Sequence, residues 1–272
     1  MEREIVFEDV SFRYPDGEAD IFSGLDLTLP RGIVSLVGQN GTGKSTLLLL
    51  AAGRLLPTRG RVLIRGRDTR ELADETERQK LISFIYQNME FDTEESIGTL
   101  LEFVYANGLH GHGGVNPVPG QMPRMTVAGL VEVFELGAIL GRRTQEVSKG
   151  ELQRTILAFS LLYGSPLIAM DEPIFALEGH QKEKAMEYLA RRVRQEEMSL
   201  YYSVHELDIS QKYSDYILLF SRETAPRLGR TAEIFTRETI EKAYEVPFDM
   251  LKKREELYRK YLVELLRVRG EG

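Results

Sequence analysis

The chemistry begins at Gly38 to Thr46, GQNGTGKST, which satisfies the phosphate-loop pattern G-x-x-x-x-G-K-[ST]. Gly38, Gly41 and Gly43, with Asn40 and Thr42 between them, let successive backbone N–H groups curl around a polyphosphate. A helix starting near Lys44 aims its positive N-terminus at the same anion. Lys44 is placed to reach β- and γ-phosphates, Ser45 offers a hydroxyl to Mg2+, and Thr46 directly after it is counted with the nucleotide-binding residues. An accidental Gly-rich turn is the alternative. From average residue frequencies, a chance match in a chain this long is on the order of one in a hundred. The position after a buried strand and before an apolar helix lowers that further, so the run predicts a nucleotide-binding site.

PLIAMDEP supplies a second centre. Leu167 to Met170 reads as a buried strand, with Asp171 at its carboxyl end placed to hold Mg2+ directly or through water. Glu172 beside it can polarise an attacking water, a contribution typically worth about 10² to 10⁴ in rate. Most isolated Asp-Glu pairs are only charged turns; the phosphate loop upstream favours the catalytic reading here.

These residues need a scaffold that brings distant segments together. Ile33 to Val37 is solidly apolar between Gly32 and Gly38, as a strand buried on both faces should be. Similar runs occur at 82–86, 167–170, 200–204 and 217–220, and Thr46 to Leu55 reads as a helix. The segments around 5–7, 11–14 and 25–29 instead alternate apolar with polar, suggesting an antiparallel sheet with one wet face. From Asn88 to Glu146 the strand signal vanishes, and helices are expected at about 96–106 and 126–137, around the loop NGLHGHGGVNPVPGQMP. His110 and His112 in that loop lack a third ligand nearby, which argues against a metal site. Pro247 to Val268 puts Phe248, Leu251, Tyr258, Tyr261, Leu262, Leu265 and Val268 near one helix face. The expected class is α/β, a mainly parallel sheet with an N-terminal antiparallel β-subdomain and an inserted α-helical subdomain.

Composition excludes several alternatives. With no Cys there are no disulfides, Cys-ligated zinc sites, iron–sulfur clusters or thiol nucleophiles. Asp and Glu (42) outnumber Lys and Arg (35), which disfavours a general nucleic-acid binder. The opening MEREIVFEDV carries acids where a signal peptide would carry basic residues. The longest apolar run, Leu47 to Ala52, is far short of the roughly 20 residues of a membrane span. A soluble intracellular protein is the expectation.

With these pieces in this order, the sequence resembles the ATP-binding-cassette (ABC) ATPase family, a P-loop NTPase (RecA-like) fold, over about residues 3 to 222. EVSKGELQR, Glu146 to Arg154, is similar to the family signature L-S-G-G-Q: Ser148 and Gly150 match, while Val147, Lys149 and Glu151 depart. The resemblance implies that this loop meets the γ-phosphate held by a second subunit, and a helix N-terminus at Ser148 and Gly150 suits an anion. Ser148 three residues before Glu151 is equally a capping box. The resemblance further implies that Gln87, after LISFIY, senses Mg2+ and links sheet to insert, and that His205, ending LYYSV, contacts the γ-phosphate region. Tyr14 in VSFRYP matches the aromatic that stacks on adenine, although a core aromatic in a strand would look the same. PIFALEG stands in the place of the family's D-loop, with Glu178 where Asp is usual.

The resemblance implies ATP and Mg2+ as cofactors, Ser45, Gln87 and Asp171 toward the metal, and hydrolysis carried by Glu172, His205, Lys44 and Gln87. Residues 1–235 would form the ATP-binding domain, with a helical insert at about 88–160, and 236–272 a C-terminal helical extension. Implied partners are a second cassette, most simply an identical copy, and a separate integral membrane permease at the cytoplasmic face of the membrane. No nucleic acid is expected. AEIFTRETIEKAYEV resembles the ending of cassettes serving iron-chelate, haem and cobalamin importers. The alternative is a soluble ABC ATPase acting on nucleic acid or ribosomes, which usually carries two cassettes or a long coiled-coil insertion. A phosphate-loop kinase or GTPase would leave Ser148, Glu172 and His205 without a reason.

Overall fold

The structure, a computed structural model, describes residues 3–72, 74–109, 125–222 and 224–251. Strands β1 (Arg3–Phe12) and β2 (Phe22–Pro30) pair antiparallel and tend to alternate buried with exposed residues, as one wet face requires. The expected strand at 11–14 is not a separate element. β1 runs on to Phe12 through an irregularity at Asp9, whose φ of 48° bends the ladder, and Tyr14 falls beyond its end.

β3 (Ile33–Val37) is buried along its whole length, and helix α1 (Lys44–Ala51) follows it. The expectation carried this helix to Leu55; Gly53, at φ 64°, ends it sooner. The chain then returns to the first sheet as β4 (Arg59–Ile64) and β5 (Arg67–Asp68), giving the order β2-β1-β4-β5. Neither strand was expected from sequence. β4 is pinned to β1 by Arg65, whose Nε and Nη2 donate to the buried carboxylate of Glu4 at 2.6 and 3.0 Å.

After α2 (Glu75–Gln79), β6 (Ile82–Ile85) enters the second sheet, and among the described residues three α-helices intervene before β7 (Leu167–Met170). These are α3 (Ile97–Asn107), α4 (Val127–Val133) and α5 (Lys149–Tyr163). Ser96 and Thr126 cap the first two by accepting from the N–H groups of Thr99 and Gly129. α4 stops short of the expected 137 because Glu135 turns left-handed at φ 56°. Arg154 Nη1 donates to the carbonyls of Phe134 and Glu135, tying that turn to α5.

The chain continues through α6 (Gly179–Gln195), β8 (Ser199–Ser203), α7 (Leu207–Tyr213), β9 (Tyr216–Leu219) and β10 (Arg227–Arg230). The second sheet has the order β10-β9-β3-β8-β7-β6, parallel except for β10. One apolar core lies between the two sheets, and another between the second sheet and the helices α3 to α6. Sheet and insert therefore move only by repacking a continuous interior.

Two further helices, α8 (Thr231–Ile234) and α9 (Arg237–Tyr244), form a third core with β3 and β9. Val37, Ile217 and Leu219 meet Ile234, Ile240, Ala243 and Leu251 there, with Phe248 packed against them. The boundary expected at residue 235 thus runs between two helices of one core. The rest of the amphipathic tail, from Tyr258 to Val268, lies outside the described residues, as do His110 and His112.

Candidate nucleotide site

Strand register aligns the carboxyl ends of four parallel strands. Leu36 pairs with Ser203, Tyr202 with Met170, and Met170 with Ile85. Four loops therefore leave the sheet from one edge, carrying Gly38, His205, Asp171–Glu172 and Gln87, which is where open α/β sheets hold ligands. Gly38 begins the first loop at φ 153°, and a Cβ there would lie 2.6 Å from the carbonyl oxygen of Phe220, so only glycine fits.

A cleft of about 450 Å³ opens at this edge, lined by Tyr14, Ile21, Asn40, Gly41, Gly43, Lys44, Ser45, Thr46, Gln87, Glu172, Phe175 and His205. A larger one, about 860 Å³, is lined by Asn40, Gly41, Thr42 and residues 20–26, 220–222 and 224–226. It contains none of Lys44, Glu172 and His205, and those three candidate groups sit in the smaller cleft. Thr42 turns its hydroxyl inward, donating to the Gln39 carbonyl at 2.8 Å.

Lys44 donates from Nζ to the carbonyls of Gly38 and Gln39 at 2.7 and 2.8 Å. Burial pushes this ammonium below the ordinary lysine range, against the pull of Glu172 and Asp171. Tyr14 is 38% exposed, stands edge-on to Phe12, and its hydroxyl is 3.1 Å from Thr46 Oγ1. It is a cleft-wall aromatic beyond the strand, rather than a core residue within it.

Glu172 is the most constrained side chain here. Its φ of 49° is a left-handed conformation that costs a non-glycine residue on the order of 1 kcal/mol. The N–H of Glu172 donates to Ser203 Oγ at 3.0 Å, and that hydroxyl donates to Asp171 Oδ1 at 2.6 Å. The Glu172 carboxylate accepts from Gln87 Nε2 at 2.9 Å and lies 2.7 Å from His205 Nε2. Sequence reading missed Ser203, although a serine ending the buried run SLYYS was a visible signal.

Asp171 itself is buried and lies behind the cleft wall, not among its lining residues. The proposed metal donors are a hydroxyl (Ser45), an amide oxygen (Gln87) and a carboxylate (Asp171), all hard oxygens that suit Mg2+. Among the described residues no three His, Cys, Asp or Glu side chains cluster as a metal cage. The donor set therefore fits an ion that arrives with phosphate oxygens and water completing its shell.

Ser148 and Gly150 are not part of this cleft. Ser148 caps α5, accepting from the Glu151 N–H at 3.3 Å, while its own N–H and hydroxyl both donate to Glu151 Oε2 at 2.8 Å. Burial opposes ionisation of Glu151, yet these two hydrogen bonds hold its carboxyl below the ordinary glutamate range. Gly150 lies so close to the segment after Glu172 that a Cβ would come within 2.8 Å of the Ala176 carbonyl oxygen. Lys149 Nζ is 3.5 Å from Glu90. Among the described residues no helix is long and apolar enough to cross a membrane.

A family model described as ABC transporter matches residues 22–175. The manganese transport system ATP-binding protein MntA of Synechocystis sp. is 29% identical over 238 residues, covering 88% of this chain and 88% of that protein. The molybdenum import ATP-binding protein ModC of Pseudomonas fluorescens is 29% identical over 225 residues, 81% of this chain; the match spans only 60% of that relative's length. Among solved structures, the ATP-binding cassette MJ0796, a dimer in a post-hydrolysis state bound to ADP and Pi, superposes with TM-score 0.69 at 23% identity, covering 84% of this chain and 98% of that one. This last likeness establishes the fold.

Proposed function

The chain belongs to the ABC transporter family, as an ATPase cassette, and from that premise we propose that it binds ATP in the Tyr14–Lys44–Glu172 cleft and hydrolyses it to drive solute import through a separate membrane permease. The observation that carries this reading is the convergence of Tyr14, Lys44, Ser45, Gln87, Glu172 and His205 on one cleft from four separate loops and a strand end.

In the mechanism we infer, Tyr14 offers its ring to the base, and the first-turn N–H groups of α1, which have no helical partner, face the phosphates. Lys44 moves from the carbonyls of Gly38 and Gln39 to the phosphate oxygens, regaining a charged partner for its buried ammonium. Glu172 is the general base toward the attacking water, and His205 and Gln87 fix the direction of its carboxylate. Ser203 is a positioning residue, holding Asp171 and the strained Glu172 backbone together. Mg2+, held by Ser45, Gln87 and Asp171 with the nucleotide, would neutralise charge on the phosphates.

Ser148 and Gly150 do not line their own chain's cleft, so a role for them at a nucleotide requires a second cassette, and we propose a homodimer with two ATP sites between subunits. ATP-driven closure of that dimer would shift the helical insert and the permease docked beside it, at the cytoplasmic face of the membrane. The related proteins are named for manganese transport and molybdenum import, which favours import of a small solute. The narrower iron-chelate, haem or cobalamin reading of residues 232–246 draws no support from those names, and the ribosome or nucleic-acid alternative is not adopted. The test is ATP turnover by the purified chain, alone and with its co-purified permease: the proposal expects hydrolysis lost in Lys44→Ala, and hydrolysis unchanged in that variant overturns it.

A further inference from the structure

We propose that the C-terminal segment 231–251 is a positioning part of the nucleotide site, holding the phosphate loop through Tyr244 and Gln39. This deepens the function proposed above and rests on Gly38 to Thr46 being the ATP site. The N–H of Gly38 donates to the Tyr244 hydroxyl at 3.1 Å. Gln39 Nε2 donates to the Tyr244 carbonyl at 2.8 Å and to the Ala243 carbonyl at 3.4 Å. Those carbonyls end α9, where no further turn of helix exists to bond them, so the loop residue completes the helix end.

The anchor is itself held in place. Glu245 ends α9 in a left-handed conformation at φ 58°, and the following turn folds back so that the Phe248 N–H donates to Glu241 Oε1 at 2.8 Å. Arg237 bridges Glu241 and Asp249 across the same turn. Below it, Val37, the residue before Gly38, shares a core with Ile240, Ala243 and Leu251.

Residues 38 and 39 are thus gripped from two sides. Lys44 holds their carbonyls, while Tyr244 and the Gln39 side chain hold them to α9. When Lys44 swings to a phosphate, the first grip is lost, and the second keeps the loop mouth in shape together with the Thr42 hydroxyl on the Gln39 carbonyl. Pre-organisation of this kind shows as ligand affinity rather than as the rate of the chemical step. The pattern G-x-x-x-x-G-K leaves position 39 unspecified, so this anchoring is a property of this chain's Gln39 and its own C-terminal segment.

The test uses the full chain and measures affinity for a fluorescent ATP analogue together with KM and kcat for ATP. Tyr244→Phe keeps the ring and its packing while removing the hydroxyl; Gln39→Ala removes the second contact. Each is expected to raise the Kd and KM about three- to tenfold, with kcat at saturating ATP within about twofold of the parent, the size of one hydrogen bond. Unchanged affinity in both variants, with Lys44→Ala weakened, overturns this proposal and leaves the ATP site standing. Lost kcat with unchanged affinity overturns it as well. If Lys44→Ala also binds ATP as the parent does, the assignment of the loop itself falls, and this proposal with it.

Discussion

Nε2 of His205 lies 2.7 Å from the carboxylate of Glu172, whose other oxygen accepts from Gln87 Nε2 at 2.9 Å. A carboxylate oxygen this close requires a donor, so Nε2 of His205 carries the proton. Both oxygens of the proposed base are therefore oriented by neighbours on the loops after β6 and β8, and a backbone strained at φ 49° aims it between them. Single changes in this arrangement should separate binding from chemistry.

Ser203→Ala should lower kcat roughly tenfold with KM for ATP within about twofold, because it frees the Glu172 N–H and the Asp171 carboxylate from one another. Steady-state kinetics checks this. A raised KM at full kcat would make Ser203 part of binding instead.

Tyr14→Ala should weaken ATP affinity about five- to a hundredfold, the span of one aromatic–base stack. Tyr14→Phe keeps the ring and loses only the contact with Thr46, so its affinity should stay near the parent value. Equilibrium titration distinguishes the two; equal losses would assign the effect to the hydroxyl.

Gly150→Ala sets two effects against each other. Alanine raises helix propensity by up to about 1 kcal/mol, but its Cβ would meet the Ala176 carbonyl at 2.8 Å, where overpacking costs about 1 to 3 kcal/mol. A net loss of about 1 kcal/mol is expected, seen as a Tm lower by roughly 2 to 4 °C. A raised Tm would show that the two segments separate easily.

Glu151→Ala removes the capping box of α5 and should cost about 1 kcal/mol of stability at neutral pH. The carboxyl titrates below its unfolded value, so its contribution is complete above the ordinary glutamate range and fades as pH falls through the depressed one. Denaturant unfolding of both proteins across that acid window should show the difference shrinking. A constant difference would remove the charge from the explanation.

Much of this was legible in the residues. Ile33 to Val37 and Leu167 to Met170 were readable as buried strands because continuous apolar runs leave few other homes, and both occur at the expected bounds. The loop GQNGTGKST and the pair Asp171–Glu172 were readable because their chemistry demands particular residue types. What escaped depends on long-range pairing. β4 and β5 join the first sheet only by crossing back to β1, and Ser203 acts through partners 31 and 32 positions away. The grip of Tyr244 on Gly38 spans 206 positions, and no local pattern encodes it. Helix ends moved where Gly53 and Glu135 adopt positive φ, a choice settled by packing.

The central claim is that Glu172 acts as the base in ATP hydrolysis at this cleft, and Glu172→Gln tests it most directly. Glutamine keeps the size and the hydrogen-bonding reach but cannot take the proton. ATP turnover should fall about a hundredfold or more while ATP affinity stays within about threefold, and an ATP-held dimer should accumulate in size-exclusion chromatography. Turnover within twofold of the parent chain would contradict the account.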